Sequence, residues 1–194
     1  MHDSAAGKTQ LCLQLALSVQ LPREAGGANG AACLLSTSWT LPTHRLLEII
    51  NNHPNLSASD CTLSDIQTVK TPTIPSLLHV LSNLLPQLVE ELAAQTSAKP
   101  VKLLVLDALT ELFHSDPKFS SETLFERSKD LSRISTLLHQ LAHKYNIAVV
   151  VVNEVVDVVE RAPTVGALPH EVIYQDQARI FSRAASLQIG RAHV

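Results

Sequence analysis

The sequence predicts an α/β fold, a mostly parallel sheet flanked by helices, and three observations predict it. Short apolar runs recur at Ala31-Ala32-Cys33-Leu34-Leu35, at Val101 to Asp107 and at Ile147 to Val152, the length of strands covered on both faces. Between them lie stretches whose apolar residues repeat at spacings of three and four, as one face of a helix requires. Glycines and prolines fall at the joins, the punctuation of alternating strands and helices.

Taken in order, Leu11, Leu13, Leu15, Leu17 and Val19 sit among good helix formers and the run halts at Pro22, so a buried helix is expected there. Residues 23–30 read as a glycine-rich turn into the first strand. A second helix is expected over residues 41–52, with Pro42 near its start, where a missing N–H costs nothing. Thr73 and Pro75 open a leucine-rich helical region over residues 74–95, which Pro86 should kink or divide. Leu131, Ile134, Leu138, Leu141 and Tyr145 mark one face of a further helix before the last strand. From Val155 onward the periodicity is lost, with breaks at Pro163, Gly166 and Pro169, and a loop region with one helix near residues 175–185 is expected.

Composition narrows the function classes. The 194 residues, 45% hydrophobic and 17% charged, suit one globular domain rather than a disordered chain. A net charge of −3 supplies no global basic field, so any contact with nucleic acid must come from a local loop or a partner. Three cysteines, Cys12, Cys33 and Cys61, without C-x-x-C spacing suggest a reduced, intracellular protein. No apolar run is long enough for a membrane span, and the nine histidines form no H-E-x-x-H pattern that would suggest zinc.

Chemistry is concentrated at the start. Ser4-Ala5-Ala6-Gly7-Lys8-Thr9-Gln10 ends as a phosphate-binding loop ends: Gly7 allows close backbone approach, Lys8 can reach terminal phosphates, and Thr9 can put its hydroxyl on magnesium. The full motif, G-x-x-x-x-G-K-[ST], needs a glycine at position 2, where His2 stands, and a strand before it. A partial nucleotide-binding core lacking its first strand is therefore expected. Asp107 closes an apolar strand about a hundred residues later, where such a protein needs a carboxylate to hold the magnesium shell beside Thr9.

Together these residues resemble the eukaryotic RecA-like recombination ATPases and their paralogues. The resemblance rests on Gly7-Lys8-Thr9-Gln10-Leu11 running into Gln14-Leu15 and Val19-Gln20-Leu21-Pro22, on Gly26-Gly27, and on Ser36-Thr37-Ser38-Trp39 followed by Arg45-Leu46. Leu104-Val105-Leu106-Asp107-Ala108 and Val150-Val151-Val152-Asn153-Glu154-Val155 fall where that family has its Walker B and sensor strands. Ser4-Ala5-Ala6 and Val19 to Pro22 look most like the mediator paralogues that work as heterodimers, the fungal-type mediator related to the vertebrate X-ray-repair cross-complementing paralogue.

The resemblance implies a RecA-like core that binds ATP and Mg2+, with Ala5, Ala6, Gly7, Lys8, Thr9 and Gln10 around the nucleotide and Thr9 and Asp107 at the metal. It also implies a nuclear role in homologous recombination and double-strand break repair, helping a recombinase filament assemble on single-stranded DNA together with a second paralogue. An active DNA-dependent ATPase and strand-exchange recombinase is the alternative. Two positions depart from the recombinase pattern: Ser38 stands at the water-activating glutamate and Glu154 at the phosphate-sensing glutamine. Serine is no base near neutral pH, and losing general-base catalysis costs about 100- to 10,000-fold. A carboxylate only accepts hydrogen bonds, whereas an amide can donate to phosphate. Two DNA-facing loops are implied, at residues 114–123 with His114 and Lys118, and after Glu154. In the family the strand entering the phosphate loop lies beside the sensor strand, so its absence would leave residues 147–152 as an apolar edge.

The hexapeptide Ile189-Gly190-Arg191-Ala192-His193-Val194 is the translation of ATC GGA AGA GCA CAC GTC, part of a common sequencing adapter. Residues 188–194 are thus expected to be a non-native tail, and residues 1–187 a partial core also lacking its C-terminal strands.

Overall fold

The computed structural model describes residues 7–38, 40–59, 61–113 and 121–153. Four parallel strands form one sheet in the order β2-β1-β3-β4: β1 (Ala31–Ser36), β2 (Ile66–Lys70), β3 (Val101–Asp107) and β4 (Ala148–Val152). Helices α1 (Lys8–Ser18), α2 (Thr43–Asn52), α3 (Pro54–Ser57), α4 (Ile74–His79), α5 (Leu85–Ala94) and α6 (Ser121–Tyr145) cover it. This is the α/β architecture expected, and the three apolar runs are β1, β3 and β4.

Strand alternation explains why β1 and β3 are apolar at nearly every position: each feeds two cores. Ala32, Leu34, Leu103 and Val105 pack with Cys12, Leu13, Ala16 and Leu17 of α1, and with Leu46 and Leu56 of α2 and α3. Cys33, Leu35, Leu104 and Leu106 pack on the opposite face against Leu77, Leu81, Leu85, Ile134, Leu138 and Leu141.

Pro86 does break the regularity of its helical region. The backbone stays helical through a π-turn, Val80–Leu84, between α4 and α5, and this wider turn accommodates Pro86, whose missing N–H leaves a gap in the hydrogen-bond ladder. Thr73 caps α4, exchanging hydrogen bonds with Ser76 as a capping box. The first helix ends at Ser18, earlier than Pro22, and residues 19–30 form a turn closed on itself: Ala28 and Gly30 N–H both donate to Val19 O, and Asn29 N–H donates to Leu21 O. Gly27 belongs to this closure, since a Cβ there would lie 2.0 Å from Leu21 O.

Two elements escaped the sequence reading, α3 and β2. Strand β2, Ile-Gln-Thr-Val-Lys, lies at the sheet edge with one buried residue, and its mixed composition gave no apolar run. Helix α6 is longer than its apolar stripe. It starts at Ser121, so the last three residues of the loop expected at 114–123 are helical instead. At the other end of the sheet β4 pairs, among the described residues, with β3 alone, and Val151 is 38% exposed. The region from Glu154 onward, including the helix expected near residues 175–185 and the tail at 188–194, lies outside the described residues.

Candidate functional site

Parallel sheets gather the C-terminal ends of their strands on one edge, where helix N-termini also arrive. Here that edge carries Asp107 at the end of β3, Ser36 at the end of β1, and the start of α1. Asp107 shares the phase of Leu103 and Val105, the residues that face α1, so its carboxylate leaves the sheet on the α1 side. Thr9, in the first turn of α1, meets it: Thr9 Oγ1 donates to Asp107 Oδ2 at 2.9 Å.

Gly7 makes this entry possible. It holds φ 73°, a left-handed backbone that side chains disfavour, and it precedes α1 with no side-chain cap. No acidic residue occupies the first turn of α1, so the N–H groups at that end keep their partial positive charge for an external anion. Lys8 opens the helix and is half-buried. Gln10 is engaged sideways, its Oε1 accepting from Arg45 Nε of α2 at 3.0 Å, while Arg45 Nη1 reaches Glu48 at 2.7 Å. The Arg45 hydrogen bond holds the Glu48 carboxyl below its ordinary range.

Beneath the site, Cys12 is buried, and burial together with the Asp107 charge pushes its thiol up to about 11, so it stays a neutral packing group. The hydroxyl of Thr9 and the carboxylate of Asp107 make an all-oxygen pair of the kind that suits Mg2+, which binds through one or two carboxylates plus phosphates and water. No cluster of three or more histidine, cysteine, aspartate or glutamate side chains suited to a metal occurs among the described residues.

Glu111 has no signal in the sequence, and Thr37 enters it only as part of the run Ser36-Thr37-Ser38-Trp39, with no role of its own. Thr37, just past β1 and 5% exposed, grips the peptide that follows Asp107 from both ends: its N–H donates to Asp107 O at 3.1 Å, and its Oγ1 accepts from Ala108 N–H at 3.3 Å. The same hydroxyl donates to Glu111 Oε2, in the 3-10 turn Leu109–Phe113. No motif signals this, because 74 residues separate Thr37 from Glu111 and only the β1–β3 pairing joins them. Ser38, next to Thr37, is exposed. Ala5, Ala6, Trp39, Glu154 and residues 114–120 lie outside the described residues, as does any second loop after Glu154.

Among known proteins, the Rad51 family model matches residues 2–172. The chain is 33% identical over 174 residues to a DNA repair protein XRCC3 homolog of Arabidopsis thaliana. It is 34% identical over 156 residues to DNA repair protein RAD57 of Saccharomyces cerevisiae, and 28% identical over 175 residues to DNA repair protein rhp57 of Schizosaccharomyces pombe. These matches take in 86%, 80% and 82% of the chain but only 55%, 33% and 48% of the three relatives, so the chain spans about half their length or less.

Proposed function

Because the chain belongs to the Rad51 family and has repair proteins for relatives, we propose that it is the ATP-binding core of a recombination mediator. In this reading it joins a second recombinase paralogue in the nucleus and helps a recombinase filament assemble on single-stranded DNA. The observation that supports it is the Thr9–Asp107 hydrogen bond, which brings together across 98 positions of sequence the hydroxyl and the carboxylate that a magnesium–nucleotide site would use.

The roles follow from chemistry. Backbone N–H groups from residues 5–9 and the start of α1 would cradle phosphates, Lys8 would meet the terminal phosphate charge, and Thr9 and Asp107 would hold Mg2+. When bound, the metal would neutralise phosphate charge. Ser38, which is exposed two residues beyond β1, offers no base to activate water. Binding without efficient turnover is therefore the activity proposed, and assembly rather than hydrolysis the task. No described helix is long and apolar enough to cross a membrane.

The test is titration of the chain with a fluorescent ATP analogue in Mg2+, followed by hydrolysis assays with and without single-stranded DNA. Micromolar-range binding lost in Lys8→Ala, with little turnover, is the expected result. DNA-stimulated hydrolysis at recombinase rates, abolished by Lys8→Ala, would instead favour an active strand-exchange recombinase.

A further inference from the structure

We infer that Thr37 and Glu111 form a latch that positions Asp107 for the metal and ties the metal's carboxylate to the turn beyond β3. The inference rests on the nucleotide reading above and adds two positioning residues to it.

A carboxylate that binds a metal must be held in orientation, and its peptide is the nearest handle. Thr37 holds both polar ends of the peptide joining Asp107 to Ala108, through Thr37 N–H to Asp107 O and Ala108 N–H to Thr37 Oγ1. A hydroxyl that accepts one hydrogen bond still has a proton to direct, and Glu111 fixes it by accepting that proton. The Thr37 side chain is therefore fully committed inside a buried site, where an unpartnered hydroxyl would be costly.

The latch also has a distal end. Glu111 sits in the Leu109–Phe113 turn, whose Leu109, Leu112 and Phe113 pack on the core face opposite α1. A shift of that turn would pull on Glu111, then on the Thr37 hydroxyl, then on the peptide that carries Asp107. Groups that orient a metal ligand without touching the metal typically change its affinity about 10- to 100-fold.

The test measures Mg2+ rather than turnover. Fluorescent ATP binding by the full chain is titrated with Mg2+ to find the midpoint, and the same nucleotide is titrated in EDTA. Thr37→Val and Glu111→Ala should raise the Mg2+ midpoint about tenfold while leaving EDTA binding nearly unchanged; Thr37→Val, which leaves the buried Ala108 N–H without its acceptor, should also melt lower, and Thr37→Ser should restore the midpoint. Unchanged midpoints in folded Thr37→Val and Glu111→Ala would overturn the latch while the nucleotide site stands. Equal loss of binding with and without Mg2+ would also overturn it, marking a merely structural role. A parent chain that shows no Mg2+-dependent binding would overturn the nucleotide reading and the latch with it. If Thr37→Val does not fold, Glu111→Gln decides: its amide oxygen still accepts the hydroxyl proton, so the latch requires a smaller shift than Glu111→Ala gives.

Discussion

Thr9 Oγ1 donates to Asp107 Oδ2 at 2.9 Å, joining the first turn of α1 to the last residue of β3 across 98 positions of sequence. If this pair is a metal site, Asp107→Asn preserves the shape and removes the charge. Losing a group that merely supports a ligand costs about 10- to 100-fold in metal affinity, so losing the carboxylate should cost at least as much. Calorimetric titration with ATP in Mg2+ and in EDTA checks this, and equal affinities for parent and variant in Mg2+ would remove Asp107 from the site.

The sequence made this pair legible because each member ends a recognisable local pattern: Gly7-Lys8-Thr9 opens a helix, and Asp107 closes an apolar strand. Strands β1 and β3 were legible because burial on both faces makes them apolar nearly throughout, and β4 was legible as an apolar run although none of its residues is fully buried. Strand β2 was not, since an edge strand needs no apolar run and Gln67, Thr68 and Lys70 hide it. Thr37 was named for its neighbours rather than itself, because its partners come from β3 and the turn after it. Pro86 marked an irregularity in its helix, but the π-turn that accommodates it required the packing of α4 and α5.

Gln20 predicts a stability effect away from the chemistry. Its buried amide makes a two-way clasp with one residue: Thr62 N–H donates to Oε1 at 2.8 Å and Nε2 donates to Thr62 O at 3.0 Å. Gln20→Leu removes both hydrogen bonds, and because Thr62 is exposed and water reaches its backbone, the cost is about 1 kcal/mol. Urea unfolding should show a lower midpoint with an unchanged slope, and a midpoint equal to the parent's would show that water replaces the clasp.

Alkaline pH should weaken the fold through its buried thiols. Burial pushes Cys33 up to about 12, and burial with the Asp107 charge pushes Cys12 to about 11, both from 9.0. These pKa values are raised on folding, so the stability tied to the neutral thiols is complete below pH 9 and is lost as pH rises through the folded values. Each thiol contributes a slope of at most about 1.4 kcal/mol per pH unit in that window. Denaturation at pH 8 and pH 10 should show a smaller drop in Cys33→Ala than in the parent, and identical drops would refute the assignment.

Strand β4 predicts self-association. Its sequence is Ala-Val-Val-Val-Val, it pairs among the described residues with β3 alone, and neither a charge nor a proline interrupts it. Such an edge invites pairing with another chain. Val151→Lys, at an exposed position, should raise the soluble fraction and reduce light scattering at fixed concentration. A monodisperse parent chain with a cooperative melt would contradict this.

The closed turn after α1 carries a genetic consequence. Gly27 lies so near the Leu21 carbonyl that no residue with a Cβ fits without moving backbone, and every missense change at a glycine codon adds one. The turn joins the C-terminal end of α1 to the start of β1, so a backbone shift there disturbs the packing of that helix on the sheet. An inherited substitution at Gly27 would then act as a folding allele, lowering the amount of folded protein while leaving Lys8, Thr9 and Asp107 themselves unaltered.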